Sequence, residues 1–346
     1  MKKKLGFLSA GFLSLGLILG ACGGNADTDA EEPAGDDPAD TGEEQEEAAG
    51  DHLTDLQLGT GSTGGTYYPL GQEIANVLNA NVDYDGFNVS AVASGASVDN
   101  LGQIFRGEMQ LGMTVHIPAL QAIAGEGDFE GAVVDNFGFL GYIYPEVMQV
   151  VTTEDTGITS IEDLKGKRVA IGPAGSATQS AARLILEAHG IEDGDYEAFE
   201  EGFGDAAARI QDGQLDASFG LLGLPDSTTS ELSLQREVVI LPIEGDALAY
   251  VEENSDYGAY EIDAGAYDFL DDSVSTVTAY AILVASLDQV SEDLGYEIVK
   301  ALYENAGGIT HPQGEHMKME NILNGSEGLP IHPGAQKYFQ EQGISE

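Results

Sequence analysis

The sequence has 346 residues, of which 60 are Asp or Glu and only 13 are Lys or Arg, giving a formal net charge of -47. Such an acidic chain repels nucleic-acid phosphates and anionic lipid headgroups, so we expect neither as a ligand. Its single cysteine excludes an intramolecular disulfide and any zinc or iron–sulfur site built on several cysteines.

The N-terminal residues have the pattern of an export signal. Lysines at positions 2–4 precede an apolar run over residues 5–20, which is the order of a signal peptide and too short to span a bilayer comfortably. The run ends in Leu19-Gly20-Ala21-Cys22, which resembles the bacterial lipobox. We therefore expect residues 1–21 to be a lipoprotein signal peptide. The lipidated Cys22 then anchors the mature chain, extracytoplasmic, to the cell membrane.

Residues 22–51 are predicted to be an acidic, disordered tether. They hold no Lys or Arg, almost no large apolar residue, and many Asp, Glu, Gly, Ala and Pro. A segment of this composition cannot bury enough apolar surface to offset its ordering entropy. Acidity continues beyond the tether, which indicates a solvated surface adapted to high salt, as in a halophilic host. Calcium binding is the competing explanation, but no Asp-x-Asp-x-Asp-Gly loop occurs.

From residue 52 onward the pattern alternates between strands and helices, which predicts an α/β fold. The first stretch reads as strand 56–58, loop 59–66, a helix to about residue 78, strand 87–92, a helix after Ser94–Ser97, and strand 111–115. The second repeats this order, as strand 168–172, loop 173–178, a helix to about residue 189, strand 196–199, helix 205–211 and strand 215–219.

Two extended segments, residues 148–153 and 274–284, are placed to connect two such lobes. A pair of crossings forms a hinge, and ligands bind between lobes at the carboxyl ends of strands. We therefore predict a periplasmic binding protein type II-like fold with two α/β lobes joined by a β-strand hinge. Lobe 1 comprises residues 52–150 plus 278–346, and lobe 2 comprises residues 151–277.

The loop Gly59-x-Gly61-x-x-Gly64 matches the dinucleotide-binding fingerprint between a strand and a helix. Three features argue against a nucleotide: the predicted export, the hydroxyls that crowd the loop, and Ser94-Gly95 where the ribose-binding acid is required. Glycines and hydroxyls at a helix N-terminus suit an anion instead, because free N–H groups and the helix dipole attract negative charge. Two such loops, Ser62–Thr66 and Gly175–Thr178, and the helix start at Ser94–Ser97 predict a cleft for a small carboxylate. Ordinary helix caps are the alternative.

Several blocks of sequence resemble the TAXI family, the solute receptors of TRAP transporters. They occur in the family's order over residues 52–346: Gly61–Gly71, Ser97–Leu101, Leu140–Glu146, Ser160–Val169, Ile171–Ser176, Gly213–Ala217 and Leu329–Ala335. The chain departs from the family at Ser176-Ala177-Thr178, where Ser-Gly-Thr is expected, and the added methyl group narrows the approach to a ligand.

The resemblance implies capture of a small organic anion such as glutamate, glutamine or 2-oxoglutarate, and its delivery to TRAP membrane permease subunits. We expect a monomer without catalytic residues, cofactor or bound metal. The predicted ligand-binding residues are Ser62, Thr63, Gly64, Thr66, Tyr67, Ser97, Tyr144, Gly175, Ser176, Thr178 and Gln179. Tyr142 and Tyr144 are equally compatible with a place in the core.

Alternatives remain at three points. Arg106, Arg183 and Arg209 are candidate carboxylate clamps, although their positions along helices favour surface ion pairs. Three histidines with two nearby glutamates have spacing compatible with a metal site, although two of the histidines precede prolines and so favour turns: His311, Glu315, His316, Glu320 and His332. The alternative functions are an ABC-type receptor, a sensory lipoprotein, a metal-binding receptor and a degenerate hydrolase.

The charge of -47 predicts stabilisation by salt. Raising NaCl from about 0.1 M to about 2 M screens the repulsion between carboxylates and should increase the melting temperature steeply. Thermal unfolding followed by circular dichroism measures this effect. A melting temperature that is constant or lower in high salt would contradict the halophilic interpretation.

Overall fold

Residues 52–344 are described by a computed structural model, in which ten strands form one sheet. The strands are β1 Asp55–Gly59, β2 Asn88–Val92, β3 Leu111–Val115, β4 Phe137–Thr153, β5 Arg168–Ala170, β6 Glu197–Phe199, β7 Ala217–Leu222, β8 Val238–Leu241, β9 Gly258–Ile262 and β10 Val274–Ser286. The predicted signal peptide, Cys22 and the tether lie outside the described residues.

Nine α-helices of these residues pack on the sheet. They are α1 Tyr67–Asn81, α2 Ser97–Phe105, α3 His116–Ala124, α4 Ala177–Ala188, α5 Phe203–Gln211, α6 Ser227–Ser233, α7 Gly245–Glu253, α8 Glu292–Asn305 and α9 Pro333–Glu341. Short 3-10 turns connect several elements. Between residues 52 and 344, no helix combines the length and the hydropathy needed to cross a membrane.

The sheet contains two units of the same topology. The strand order is β2-β1-β3-β10-β4-β7-β5-β6, with β8 paired to β4 and β9 paired to β10. At one end β1 lies parallel to β2 and β3, and at the other end β5 lies parallel to β6 and β7. In each unit the first strand in sequence lies between the second and the third. The predicted repetition of one plan is therefore confirmed.

The strands β4 and β10 join the two units. They pair antiparallel from Thr278↔Val147 to Ser286↔Phe137. Their apolar side chains belong to two cores, because Phe139 and Leu283 pack in the first core and Met148 and Val277 pack in the second. We call residues 52–145 with 281–344 the first half and residues 146–280 the second half.

The predicted α/β fold, with two units joined by two extended strands, is confirmed. The first crossing begins earlier than predicted, since β4 starts at Phe137 instead of Met148 and includes Tyr142 and Tyr144. Its side chains are almost all buried, and a continuous apolar run of that kind has no alternation to mark its start. The proposed lobe boundaries at residues 150 and 278 stay a prediction.

Candidate functional site

A narrow cavity, called the cleft from here on, lies between the first and the second half, and about 340 Å³ of space there, part of it open to solvent, is not filled by protein atoms. Four helices begin at the cleft: the first residues of α1, α2, α4 and α5 all line it. The lining residues are Gly61, Ser62, Gly65, Thr66, Tyr67, Ala96, Ser97, Tyr144, Glu146, Ser176, Ala177, Thr178, Phe203, Leu221 and Leu222. Helix N-termini present N–H groups without intrahelical acceptors, so their convergence favours an electron-rich ligand.

The cleft brings together seven of the eleven residues predicted to bind ligand. These are Ser62, Thr66, Tyr67, Ser97, Tyr144, Ser176 and Thr178. The other four, Thr63, Gly64, Gly175 and Gln179, are not among the lining residues. Thr63 is exposed to solvent. The sequence of a loop does not show which of its residues face the cavity and which face away from it. The prediction therefore included both kinds.

Most hydroxyl groups in the cleft already accept a hydrogen bond from the backbone. Thr66 Oγ1 accepts from the N–H of Gly223 at 2.9 Å, and Thr178 Oγ1 accepts from the N–H of Leu221 at 3.2 Å. Ser97 Oγ accepts from the N–H of Val115 at 3.1 Å. A hydroxyl that accepts in this way keeps its own O–H to donate. These side chains can therefore hold the loops and still donate to a ligand oxygen.

The start of α4 is capped by a serine side chain, which is the alternative that the sequence left open. Ser176 is the N-cap residue of α4, and its Oγ accepts from the N–H of Gln179 at 3.4 Å. The same oxygen donates its proton to the carbonyl of Pro173 at 2.7 Å. Ser176 is therefore engaged in shaping its own loop. The amides of Ala177 and Thr178, which open the helix, have no intrahelical acceptor.

Gly175 and Gly64 connect the two halves instead of lining the cavity. The carbonyl of Gly175 accepts from the N–H groups of Val98 and Asp99 at 2.9 and 3.2 Å. The prediction that the start of α2 offers its amides to a ligand is therefore wrong for these two groups, which a carbonyl from the second half occupies.

Gly64 approaches the backbone of the second half closely. Thr228 Oγ1 donates to the carbonyl of Gly64 at 2.8 Å. A Cβ atom added at Gly64 would lie 2.5 Å from the backbone nitrogen of Gly204. Contacts below 3.0 Å are essentially never made by real Cβ atoms. Glycine is thus required at this position for the halves to meet.

The cleft also contains a carboxyl group that sequence reasoning missed. Glu146 lies in β4, is 3% exposed, and lines the cavity. Burial raises the pKa of Glu146 to about 8, although the neighbouring hydroxyls of Tyr67 and Tyr144 act in the opposite direction. The signal in the sequence is a single acid within the otherwise uncharged run from Phe137 to Val151. Burial of an unpaired charge is costly, so such an acid points to a site.

The two tyrosines beside Glu146 belong to the core and to the cleft at once. Their ring centroids are 6.2 Å apart at an interplanar angle of 84°, an edge-to-face contact. Burial, followed by the charge of Glu146, raises the pKa of both Tyr67 and Tyr144. Tyr142 is different, because it contacts Tyr280 and does not line the cleft. Phe203, Leu221 and Leu222 complete the apolar part of the wall, and they too were missed.

The three arginines weighed as carboxylate clamps are held in ion pairs, as their helix positions predict. Arg106 pairs with Glu108 at 2.8 Å. Arg183 pairs with Asp193, and Arg209 pairs with Glu201. All three lie outside the lining of the cleft.

Two of the three histidines with metal-like spacing, His311 and His332, cap helical turns. His311 accepts from the N–H of Gln313 and His332 from the N–H of Gly334, both at 3.2 Å through Nδ1. Each precedes a proline that opens a helical turn. Within residues 52–344, no group of three or more His, Cys, Asp or Glu side chains is arranged to hold a metal ion.

Comparison with known proteins extends over most of the chain. The model of the NMT1-like family matches residues 58–343. The structure of PhnD1 from Prochlorococcus marinus (MIT 9301) in complex with methylphosphonate is similar, with a TM-score of 0.51 and 11% identity over 84% of this chain and 99% of that chain. This likeness supports the fold of a binding protein and nothing finer.

Two further structures are similar at lower scores. The alkanesulfonate-binding protein SsuA from Xanthomonas axonopodis pv. citri, bound to MOPS, has a TM-score of 0.45 and 17% identity, with 84% of each chain covered. A putative sulfonate ABC transporter protein, the periplasmic sulfonate-binding protein SsuA from Methylobacillus flagellatus KT, has a TM-score of 0.41 and 14% identity, covering 78% of this chain and 73% of that chain.

The raised pKa of Glu146 predicts a pH-dependent stability. The folded state holds this proton with a pKa of about 8 against an ordinary value of 4.5, so the free energy of unfolding should fall as pH rises between these values. The slope attributable to one such group is up to about 1.4 kcal/mol per pH unit. Glu146→Gln, which resembles the protonated form, should remove this slope. Urea unfolding from pH 5 to pH 8 measures it.

The matched control is Glu130→Gln, because Glu130 is exposed. This variant should keep the slope of the unmodified protein. Identical profiles for Glu146→Gln and the unmodified protein would contradict the assignment of a buried, protonated carboxyl at Glu146.

Proposed function

Because this chain belongs to the NMT1-like family and has the fold of a periplasmic binding protein, we propose that it is an extracytoplasmic solute-binding receptor that captures a small organic anion in the cleft. The observation that carries the proposal is the convergence of four helix starts on one cavity between two halves. The role is capture and release, and it includes no catalytic step.

An anion in a protein with a net charge of -47 needs a local source of positive potential. Of the residues described as lining the cleft, none is Lys, Arg or His. The first-turn amides of α1, α4 and α5 and the hydroxyls of Thr66 and Thr178 take that role. Backbone amides aimed at a cavity bind anions without a charged side chain. A carboxylate of glutamate, glutamine or 2-oxoglutarate suits this arrangement.

The partner in the membrane is proposed to be a TRAP permease. The support is the resemblance to the TAXI family, above all in the blocks Gly61–Gly71 and Leu329–Ala335. The first block contains the loop before α1 that lines the cleft. An ABC transporter is the second candidate, because a similar solved structure is named as part of one. Uptake by proteoliposomes distinguishes the two, since a TRAP system needs an ion gradient and an ABC system needs ATP.

The N-terminal residues account for how the proposed receptor is held at the membrane. Lipidation of Cys22 and an extended tether over residues 22–51 would keep a monomeric receptor close to its permease. The acidic composition of the tether favours an extended chain because its charges repel one another. The two predicted lobes then close on the ligand about the hinge formed by β4 and β10.

A ligand scan tests the proposed function. A ligand present at about one hundred times its dissociation constant should stabilise the folded state by about 2.7 kcal/mol. Thermal shift should be measured with glutamate, glutamine, 2-oxoglutarate, C4-dicarboxylates, alkanesulfonates and methylphosphonate, and separately with zinc. At least one carboxylate is expected to raise the melting temperature. A shift with zinc alone, or with none of these acids, would rule the proposal out.

Substitution of two glycines, one at a time, tests whether the cleft closes on the ligand. Gly64→Ala should prevent the halves from meeting, because its new Cβ would clash with the backbone of Gly204. The control Gly204→Ala has room, since its nearest neighbour would be the Cα of Gly64 at 3.6 Å. We expect Gly64→Ala to weaken ligand binding by about tenfold or more, which is about 1.4 kcal/mol. Calorimetric titration with the ligand found in the scan measures both variants, and equal affinities would contradict the closure.

A further inference from the structure

Three buried polar atoms face the cleft without a partner. They are Ser62 Oγ, the hydroxyl oxygen of Tyr67 and Oε1 of Glu146, none of which makes a hydrogen bond of ordinary geometry with the residues described. The hydroxyls of Tyr67 and Tyr144 nevertheless lie close enough to the Glu146 carboxyl to lower its pKa. Buried polar groups in folded proteins are almost always hydrogen-bonded, and each exception requires an explanation. Their grouping at one cavity is explained if a bound molecule supplies the missing partners.

We propose that Glu146 is the residue that determines specificity, and that its carboxylate pairs with an ammonium group of an α-amino-acid ligand in the cleft. This inference rests on the proposed function and narrows its ligand class from organic anions in general to amino acids. The amino acid's carboxylate would lie at the helix starts, and its ammonium group would lie at Glu146.

The charges in the cleft favour a ligand with a positive group. Glu146 is the only carboxyl or basic side chain among the described residues that line the cavity. A ligand with negative groups alone would keep Glu146 in its neutral, protonated form and could use only the one O–H that this form donates. An ammonium group supplies the opposite charge and up to three donated hydrogen bonds. The acceptors available to it are Glu146 Oε1 and the hydroxyl oxygens of Tyr67 and Ser62.

The titratable groups around Glu146 are tyrosines that stay neutral, so the protonation state of Glu146 depends on the ligand. Tyr67 of α1 and Tyr144 of β4 flank it, and Tyr257, in the segment before β9, is near enough to feel its charge. Burial raises the pKa of all three tyrosines, so they stay neutral. On β10, the residue paired with Glu146 is Ala279. On β7, Leu222 is paired with Val147, the residue that follows Glu146.

Another acid, Asp226, lies close to Tyr144. Its negative charge raises the pKa of Tyr144, and burial raises the pKa of Asp226 itself. Its carboxylate is engaged by the N–H of Thr229 at 2.8 Å. Asp226 does not line the cleft. It therefore does not compete with Glu146 for the ligand.

Proton release is the expected signature of the pairing. The free receptor holds Glu146 largely protonated at pH 7, because burial raises its pKa to about 8. Pairing with an ammonium group requires the carboxylate, so binding should release about one proton per ligand at pH 7. A ligand with only negative groups would need the protonated carboxyl as a donor, and its binding would release no proton.

The experiment compares amino acids with the keto acids that match them, using L-glutamate against 2-oxoglutarate and L-alanine against pyruvate. Calorimetry at pH 7 in buffers of different ionisation enthalpy counts the protons. We expect an amino acid to bind at least tenfold tighter than its keto counterpart and to release a proton. Between pH 6 and pH 7 its affinity should rise by about tenfold.

The variant Glu146→Gln separates charge from shape. It should weaken amino-acid binding by about thirtyfold or more, the usual effect of removing one partner of a buried ion pair. It should also abolish proton release and change keto-acid affinity by less than about threefold, because no charge pair is lost. Glu130→Gln, which is exposed and distant in sequence, should behave as the unmodified protein.

The outcomes separate the two proposals. Binding of keto acids but not amino acids, or amino-acid binding that survives Glu146→Gln, would overturn the role of Glu146 and leave the receptor function in place. Failure of every acid in both sets, in titrations and in the wider scan, would overturn the receptor function as well.

Discussion

The antiparallel pairing of β4 with β10 is the constraint on which the rest of the structure depends. Each strand contributes to both cores, so neither half can be completed without chain that also builds the other. The parallel units attached to the two sides bring their helix starts towards each other across this pair. The cleft thus results from the topology. The two parallel units have the same strand order and lie on opposite sides of the β4–β10 pair, so the helix starts of both units face the same cavity.

Glu146 follows from the same constraint. It lies in β4 where the strand passes from the first core to the second, so it faces the cavity while its backbone pairs with Ala279 of β10. Thr278 Oγ1 also donates to the carbonyl of Glu146 at 2.7 Å, which fixes the backbone there. A carboxyl group held in this way cannot turn to solvent. Its protonation, rather than its position, is left to respond to what enters the cleft.

Local patterns predicted the parts of this molecule that local physics determines. Glycine and hydroxyl residues at helix starts, and the repeated order of strands and helices, predicted the two units and seven lining residues. The roles of Gly64 and Gly175 were not predictable, because both depend on backbone from the opposite half: Gly204 for one and α2 for the other. Membership of the TAXI family stays a prediction, and the family shown is the NMT1-like family.

The contact between the carbonyl of Gly175 and the start of α2 bears on how a ligand is released. When the halves separate, the amides of Val98 and Asp99 lose this acceptor and must recruit water. The protein itself therefore supplies part of the free energy that holds the two halves together. In the receptor that we propose, this contact lets a weakly bound solute stay long enough to be carried to the membrane. Release there then requires breaking these main-chain hydrogen bonds as well as the contacts to the solute.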